Sequence, residues 1–316
     1  MTKETGDPKK RLRVPATKEG VATMSVIAVS LLVAMKVVAS ILTGSISIRA
    51  DALHSVIDLS GVVIGFIGIR IARKLPDKQH VFGHGKAEDI AAFFIGVLIF
   101  VAAGTIAYTS IERLVVGAAI ELVSIGIYVT SAAIMINVIV AWCVVKVAKS
   151  SDSVALEATG RHLLTDVWSS VAVLVGLILV RVTGFNILDP IVALLVSILI
   201  GRIAYQTTKK AFGGLMDIKL PAEEEDLVVA SIMEHSDQIL DLHKLRSRKA
   251  GSQRYIDLHL VMPKDVNIVE AHRLCDHLEQ DIEEKLQVTD ATIHIEPCND
   301  DCDLCSASCT LQNKSD

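Results

Sequence analysis

Two stretches of this chain, Ala50 to Ser60 and Ala158 to Ser169, repeat one another in residue types that bind ions. Each carries a histidine followed four positions later by an aspartate, His54 with Asp58 and His162 with Asp166. Four positions is about one helical turn, so each pair shares one helix face. Both pairs head apolar runs that continue through Ile64 and Leu174, where an aspartate costs roughly 2.5 to 3.5 kcal/mol at the centre of a bilayer. Two imidazole nitrogens and two carboxylates on facing helices make a tetrahedral site for a divalent ion, with zinc the best fit to that ligand set. The plainer alternative is a His–Asp hydrogen bond between neighbouring helices, against which stands the recurrence of the pair at identical spacing. Asp51 is a further ligand, a proton carrier or a helix-start residue, the last two being favoured. Lys36 reads as snorkelling or pairing with an acid rather than as a chemical group.

A second group lies in the stretch Pro76 to Lys86, where Asp77, His80 and His84 are spaced by three and four residues, close enough for one cation. Further along, His243, His259, His272, His277 and His294 sit among many carboxylates, with Glu296 two residues after His294. Each histidine alone could be a surface residue of a half-exposed sheet; together they suggest bound metal. Of the six cysteines, Cys143 and Cys275 fall inside helical patterns and read as packing residues. Cys298, Cys302, Cys305 and Cys309 form a C-x3-C-x2-C-x3-C tail. In a reducing compartment these are thiolate metal ligands or the incidental cysteines of a disordered tail, rather than disulfides. No His-Glu-x-x-His occurs and no Gly-rich phosphate loop precedes a Lys-Ser or Lys-Thr, which argues against a zinc protease and a nucleotide-driven pump.

The elements that must position these groups are of two kinds. A mean hydropathy of +0.49 and 51% apolar residues point to a bilayer rather than a large soluble core. Apolar stretches long enough to span one lie near Val21 to Leu42, Ile46 to Ala72, Ala87 to Tyr108, Leu122 to Val145, Ala155 to Val180 and Ile187 to Tyr205. Six transmembrane helices are expected. Basic residues gather in the N-terminal arm, the second loop and after the fourth and sixth helices, which places both termini in the cytoplasm of a multi-pass cell-membrane protein. The polar, basic first 20 residues do not read as a signal peptide.

From Pro221 the pattern becomes α-β-β-α-β: an acidic helix (Glu223 to His235), strands Leu240 to Arg248 and Gln253 to Met262, an amphipathic helix (Ile268 to Leu286) and a strand (Ala291 to Glu296). The division expected is a basic arm (1–20), a six-helix membrane domain (21–212), a cytoplasmic α/β metal-binding and dimerisation domain (213–297) and a Cys-rich tail (298–316). The net charge of −5 hides a split, since the part from Leu215 onward carries 10 basic and 22 acidic residues. Cations are natural partners of that half and nucleic acid is not.

With these residues in place the chain resembles the cation diffusion facilitator family of divalent-metal transporters, from about Val21 to Pro297. The motifs are the two His-x-x-x-Asp pairs, the Phe82 to Glu88 loop, Asp189-Pro190 entering the sixth helix, and the His-rich α/β end. The resemblance implies a homodimer with a ferredoxin-like, metallochaperone-like cytoplasmic domain, exporting Zn²⁺ from the cytoplasm in exchange for protons, and no enzyme activity. It implies a transport site at His54, Asp58, His162 and Asp166, and a loop site at Asp77, His80 and His84. It further implies a cytoplasmic site at His243, His259, His272, His294 and Glu296, with Glu296 where relatives often have Asp. Lys86 and Asp217 match positions of a salt bridge joining the two halves. Two His with two Asp is similar to the zinc-selective members; Fe²⁺, Co²⁺ or Cd²⁺ as cargo is the neighbouring reading. A membrane-bound zinc sensor or scaffold is the reading from a different class, but it has little use for four ligands in a bilayer.

Overall fold

The computed structural model describes residues 16–43, 46–116, 124–185, 187–235, 238–286 and 288–298. The side chains of Lys36, Asp51, His54 and Asp189 lie outside the described set, as do Cys302, Cys305 and Cys309. Six long helices come first: α1 (Ala16–Thr43), α2 (Ile46–Ala72), α3 (Lys86–Val116), α4 (Ser124–Ser151), α5 (Val154–Thr183) and α6 (Leu188–Leu215). Among the described residues, α1, α3, α4 and α6 hold windows long and apolar enough to cross a membrane. The helices run past the ends that hydropathy alone marks. The 31 residues of α3 extend about 46 Å at 1.5 Å per residue, longer than a hydrocarbon core of about 30 Å, and its charged residues, Lys86 to Asp89 and Glu112 to Arg113, fall at its two ends.

Local chemistry sets the helix ends. Glu88 and Asp89 occupy the first turn of α3, where the helix dipole favours acids. Asp152, at a φ of 48°, breaks the chain between α4 and α5. Ser153 then caps α5, its Oγ accepting from the Leu156 amide at 3.3 Å. Small residues let the helices approach. A Cβ added to Gly65 of α2 would stand 2.2 Å from Thr159 Oγ1 of α5, and one added to Gly61 would meet the ring of His162. With little hydrophobic drive between helices in lipid, such close packing carries the association. Ala92, Ile95, Ile99 and Ala103 of α3 share a core with Ile200, Ala204 and Ala211 of α6.

The second compact unit starts at Met216. It comprises α7 (Ala222–Met233), β1 (Asp241–Ala250), β2 (Gln253–Met262), α8 (Ile268–Leu286) and β3 (Thr289–Pro297), the order read from the sequence. The sheet runs β1-β2-β3, antiparallel between β1 and β2 and parallel between β2 and β3. Along β2, Ile256, Leu258, Leu260 and Met262 face a core completed by Val228 and Ile232 of α7 and Ala271, Leu274, Leu278, Ile282 and Leu286 of α8. Each fully buried Leu or Ile of this kind contributes roughly 1.5–3 kcal/mol. The odd-numbered positions of β2, His259 among them, therefore belong to the opposite face of the sheet. Glu224 in the first turn of α7 takes the Arg254 guanidinium in a paired contact, Nε at 2.7 Å and Nη2 at 2.9 Å.

Candidate metal centre

Asp58 of α2 and His162 and Asp166 of α5 come together, each offering one ligand atom within 4.8 Å of the others. The i to i+4 spacing puts both α5 residues on one face, and the glycines of α2 let that face lie close. His162 is almost wholly buried. Its Nε2 lies 3.1 Å from the Asp58 backbone oxygen, so an Nε2–H donates there and that bond orients the ring. Its Nδ1 is buried and has no hydrogen-bond partner. An imidazole held by one nitrogen with the other unsatisfied beside two carboxylates suits a cation better than a closed hydrogen-bond network. His54 stands one turn before Asp58 on α2, its side chain outside the described residues.

The loop before α3 brings Asp77, His80 and His84 within the same limit. Asp77 Oδ1 accepts the Gln79 and His80 amides at 2.8 and 2.7 Å, and Gly83 turns the chain back at a φ of 82°. These amides, from His80 first and Gln79 next, hold the Asp77 carboxyl below the usual carboxylate range. Asp77 Oδ1 lies 3.2 Å from His80 Nδ1 and its Oδ2 lies 3.4 Å from His84 Nε2. Donors about 2.0–2.1 Å from a tetrahedral zinc stand about 3.3 Å apart, so these separations suit ligands of one ion. His84 Nδ1 is a second buried imidazole nitrogen without a partner.

In the second unit the strand register lines up three histidines. His243 of β1 pairs with His259 of β2, and His259 with His294 of β3. Ring centroids are 5.5 and 4.6 Å apart along this row. Glu296, two positions on and thus on the same face, reaches back to it: Oε1 is 2.6 Å from His259 Nδ1 and Oε2 is 3.2 Å from His243 Nε2. The His259 contact is the main reason that the Glu296 carboxyl lies below its ordinary range. His243, His259 and Glu296 form a compact ligand group, with His294 Nε2 farther off, 3.9 Å from Glu296. A bulge after His243, with Lys244 at a φ of 50°, aims β1 at this point.

The other expected residues are placed as follows. His272 stands apart on the exposed side of α8, 3.7 Å from Asp276, and within one chain it does not join the strand group. Lys86 donates to the Leu215 carbonyl at 3.4 Å, and Asp217, at a φ of 53°, accepts from Arg248 at 3.4 Å. Cys298 is buried, its amide donating to Met262 at 2.9 Å. Burial pushes the Cys275 thiol up to about 11, the behaviour of a packing residue.

Sequence reading missed two supports. Gly61 makes room for His162: a Cβ there would lie 2.8 and 2.9 Å from the ring's Cδ2 and Nε2. Lys18, counted among the basic residues of the arm, is buried at the start of α1 and paired with the equally buried Glu88 of α3. The other Glu88 oxygen accepts from the Ser153 cap of α5 at 2.6 Å, so one carboxylate ties α1, α3 and α5. Glu88 lay inside the Phe82 to Glu88 motif, which was the available signal.

Comparison with known proteins gives two family matches. The cation efflux transmembrane domain matches residues 22–216, and the cation efflux protein cytoplasmic domain, a dimerisation module by its name ZT_dimer, matches residues 220–298. An uncharacterized transporter of Synechocystis sp. is 34% identical over 88% of this chain and 90% of its own length. The cation-efflux pump FieF of Citrobacter koseri is 31% identical over 88% of this chain and 92% of its own. A solved zinc form of CzrB is 39% identical over 26% of this chain and 92% of that one, with a TM-score of 0.25.

Proposed function

This chain belongs to the cation efflux, or cation diffusion facilitator, family, and on that premise we propose that it exports Zn²⁺ from the cytoplasm in exchange for protons through His54, Asp58, His162 and Asp166. The observation that carries the reading is the buried His162 ring, whose Nδ1 has no hydrogen-bond partner, grouped with Asp58 and Asp166 at ligand-atom distance. Zinc needs neutral imidazole and ionised carboxylate, so loading releases protons and falling pH releases zinc. The site loads facing the cytoplasm. Rocking of the helices turns it outward, and protons arriving there displace the ion, as alternating access requires.

The termini and the α/β unit lie in the cytoplasm, and the protein works as a homodimer joined through that unit. The loop group Asp77, His80 and His84 and the strand group His243, His259, His294 and Glu296 bind further zinc. His272 completes the latter only by contributions from outside the single chain, and the tail cysteines add thiolate ligands. In the dimer two units of net charge −12 repel, and zinc bound between them relieves the repulsion.

The test is zinc uptake into proteoliposomes under an imposed pH gradient, with a zinc indicator and a pH dye read in parallel. Zinc flux with opposite proton flux, both lost in Asp166→Ala while the dimer stays assembled, is the expected result. Normal flux in Asp166→Ala refutes the site; flux without proton counterflow refutes the antiport.

A further inference from the structure

A fourth ligand group lies away from the three above. The turn after α7 lies across the last turns of α8: Glu234 pairs with Lys285 at 2.9 Å, and the next residue, His235, meets Asp281, one turn earlier on α8. His277 lies a turn earlier again, four residues before Asp281. The spacing His277-x-x-x-Asp281 is that of the two membrane pairs, here on a soluble helix. His235, His277 and Asp281 each present a ligand atom within 4.8 Å of the others.

The geometry points one way. His235 Nε2 and His277 Nε2 converge on the same oxygen, Asp281 Oδ2, at 3.4 and 3.7 Å. Both distances exceed the 2.7–3.2 Å of a good N–H···O hydrogen bond, yet lie close to the ~3.3 Å between corners of a zinc tetrahedron. The rings meet edge to face, centroids 5.0 Å apart at 79°, so they approach the carboxylate from different directions rather than stacking beside it. Lys285, one turn after Asp281 on the helix, is engaged by Glu234.

We propose that His235, His277 and Asp281 bind a divalent ion of the zinc class, with water at the open fourth position. Two imidazoles and a carboxylate with an open corner suit Zn²⁺ or Co²⁺ rather than Mg²⁺ or Ca²⁺. α7 and α8 cover the core face of the sheet, whereas the His243, His259, His294 row lies on the opposite face, so the two groups cannot share an ion. Bound metal clamps the C-terminal end of α7 to α8, and the open corner makes it exchangeable.

The experiment uses the full chain in nanodiscs, stripped with chelator, reloaded with ZnCl₂ and analysed for zinc per protomer after size exclusion. His277→Ala and Asp281→Asn should each hold one zinc fewer per protomer than the unaltered chain. An unchanged count in His277→Ala overturns the site and leaves ordinary His–Asp contacts. His277 is 57% exposed, so its removal spares the core. Should circular dichroism nonetheless change, the ring ¹⁵N resonances of His277 in the unaltered chain decide: a zinc-dependent shift supports the site, and none at saturating zinc overturns it. Neither result depends on whether the membrane site transports.

Discussion

His162 is held where it is by what its neighbours lack. Gly61 has no Cβ, and the Asp58 carbonyl accepts one ring nitrogen, so the other is left for a ligand. Gly61→Ala should force the ring aside. Overpacking of that kind costs about 1–3 kcal/mol, roughly five- to 150-fold in ion affinity, and zinc flux should fall accordingly while the purified protein stays folded. Unaltered flux would show that the close approach is incidental. Asp77 and Glu296 work from the opposite direction, holding charge to lower pH than ordinary carboxylates. A depressed carboxyl stabilises the folded state above its unfolded pKa, and that contribution is lost only as pH falls through the lower folded value. Between pH 7 and about 5 these carboxylates stay ionised, so acid release of an ion in that window does not come from protonating them.

Elements carried most of what the sequence could tell. The His-x-x-x-Asp pairs were legible because a local period of 3.6 sets which residues share a face, and the α-β-β-α-β order because β2 and α8 alternate apolar and polar positions in their own rhythms. Contacts between distant positions left no local trace. Gly61 and His162 touch across two helices, and the row of histidines depends on a bulge at Lys244 that no turn signal marks. Lys18 looked like an arm residue because a lysine ahead of an apolar run ordinarily is one; Glu88, 70 positions away, makes it a buried ion pair. Glu88→Ala leaves that lysine buried without its carboxylate, which costs about 3–5 kcal/mol. Thermal unfolding of the detergent-solubilised protein should drop markedly, and Lys18→Met with Glu88→Leu should recover much of it. If Glu88→Ala melts normally, the tie between α1, α3 and α5 contributes nothing.

For the whole molecule, charge and metal act together. In the proposed dimer two acidic units repel over a Debye length of about 8 Å at physiological salt, so chelating the proposed zinc should widen the separation of paired spin labels on the two units, and high salt should shrink that change. A separation indifferent to both would remove zinc from control of the dimer. The register of the sheet has one more consequence, and it concerns the order of assembly. His294 and Glu296 stand on β3, the last of the described strands, which pairs in parallel with β2 only after α8 has crossed over. Before that, a growing chain holds His243 and His259 alone. A slip of one residue in β3 would turn both late ligands to the core side. On the proposed reading, the strand group captures its ion only once β3 has aligned with β2, and each captured ion adds RT ln(1 + [L]/Kd) to the stability of that chain alone. Metal abundance in the cytoplasm would then set how many copies survive inspection by proteases as well as how fast each one runs.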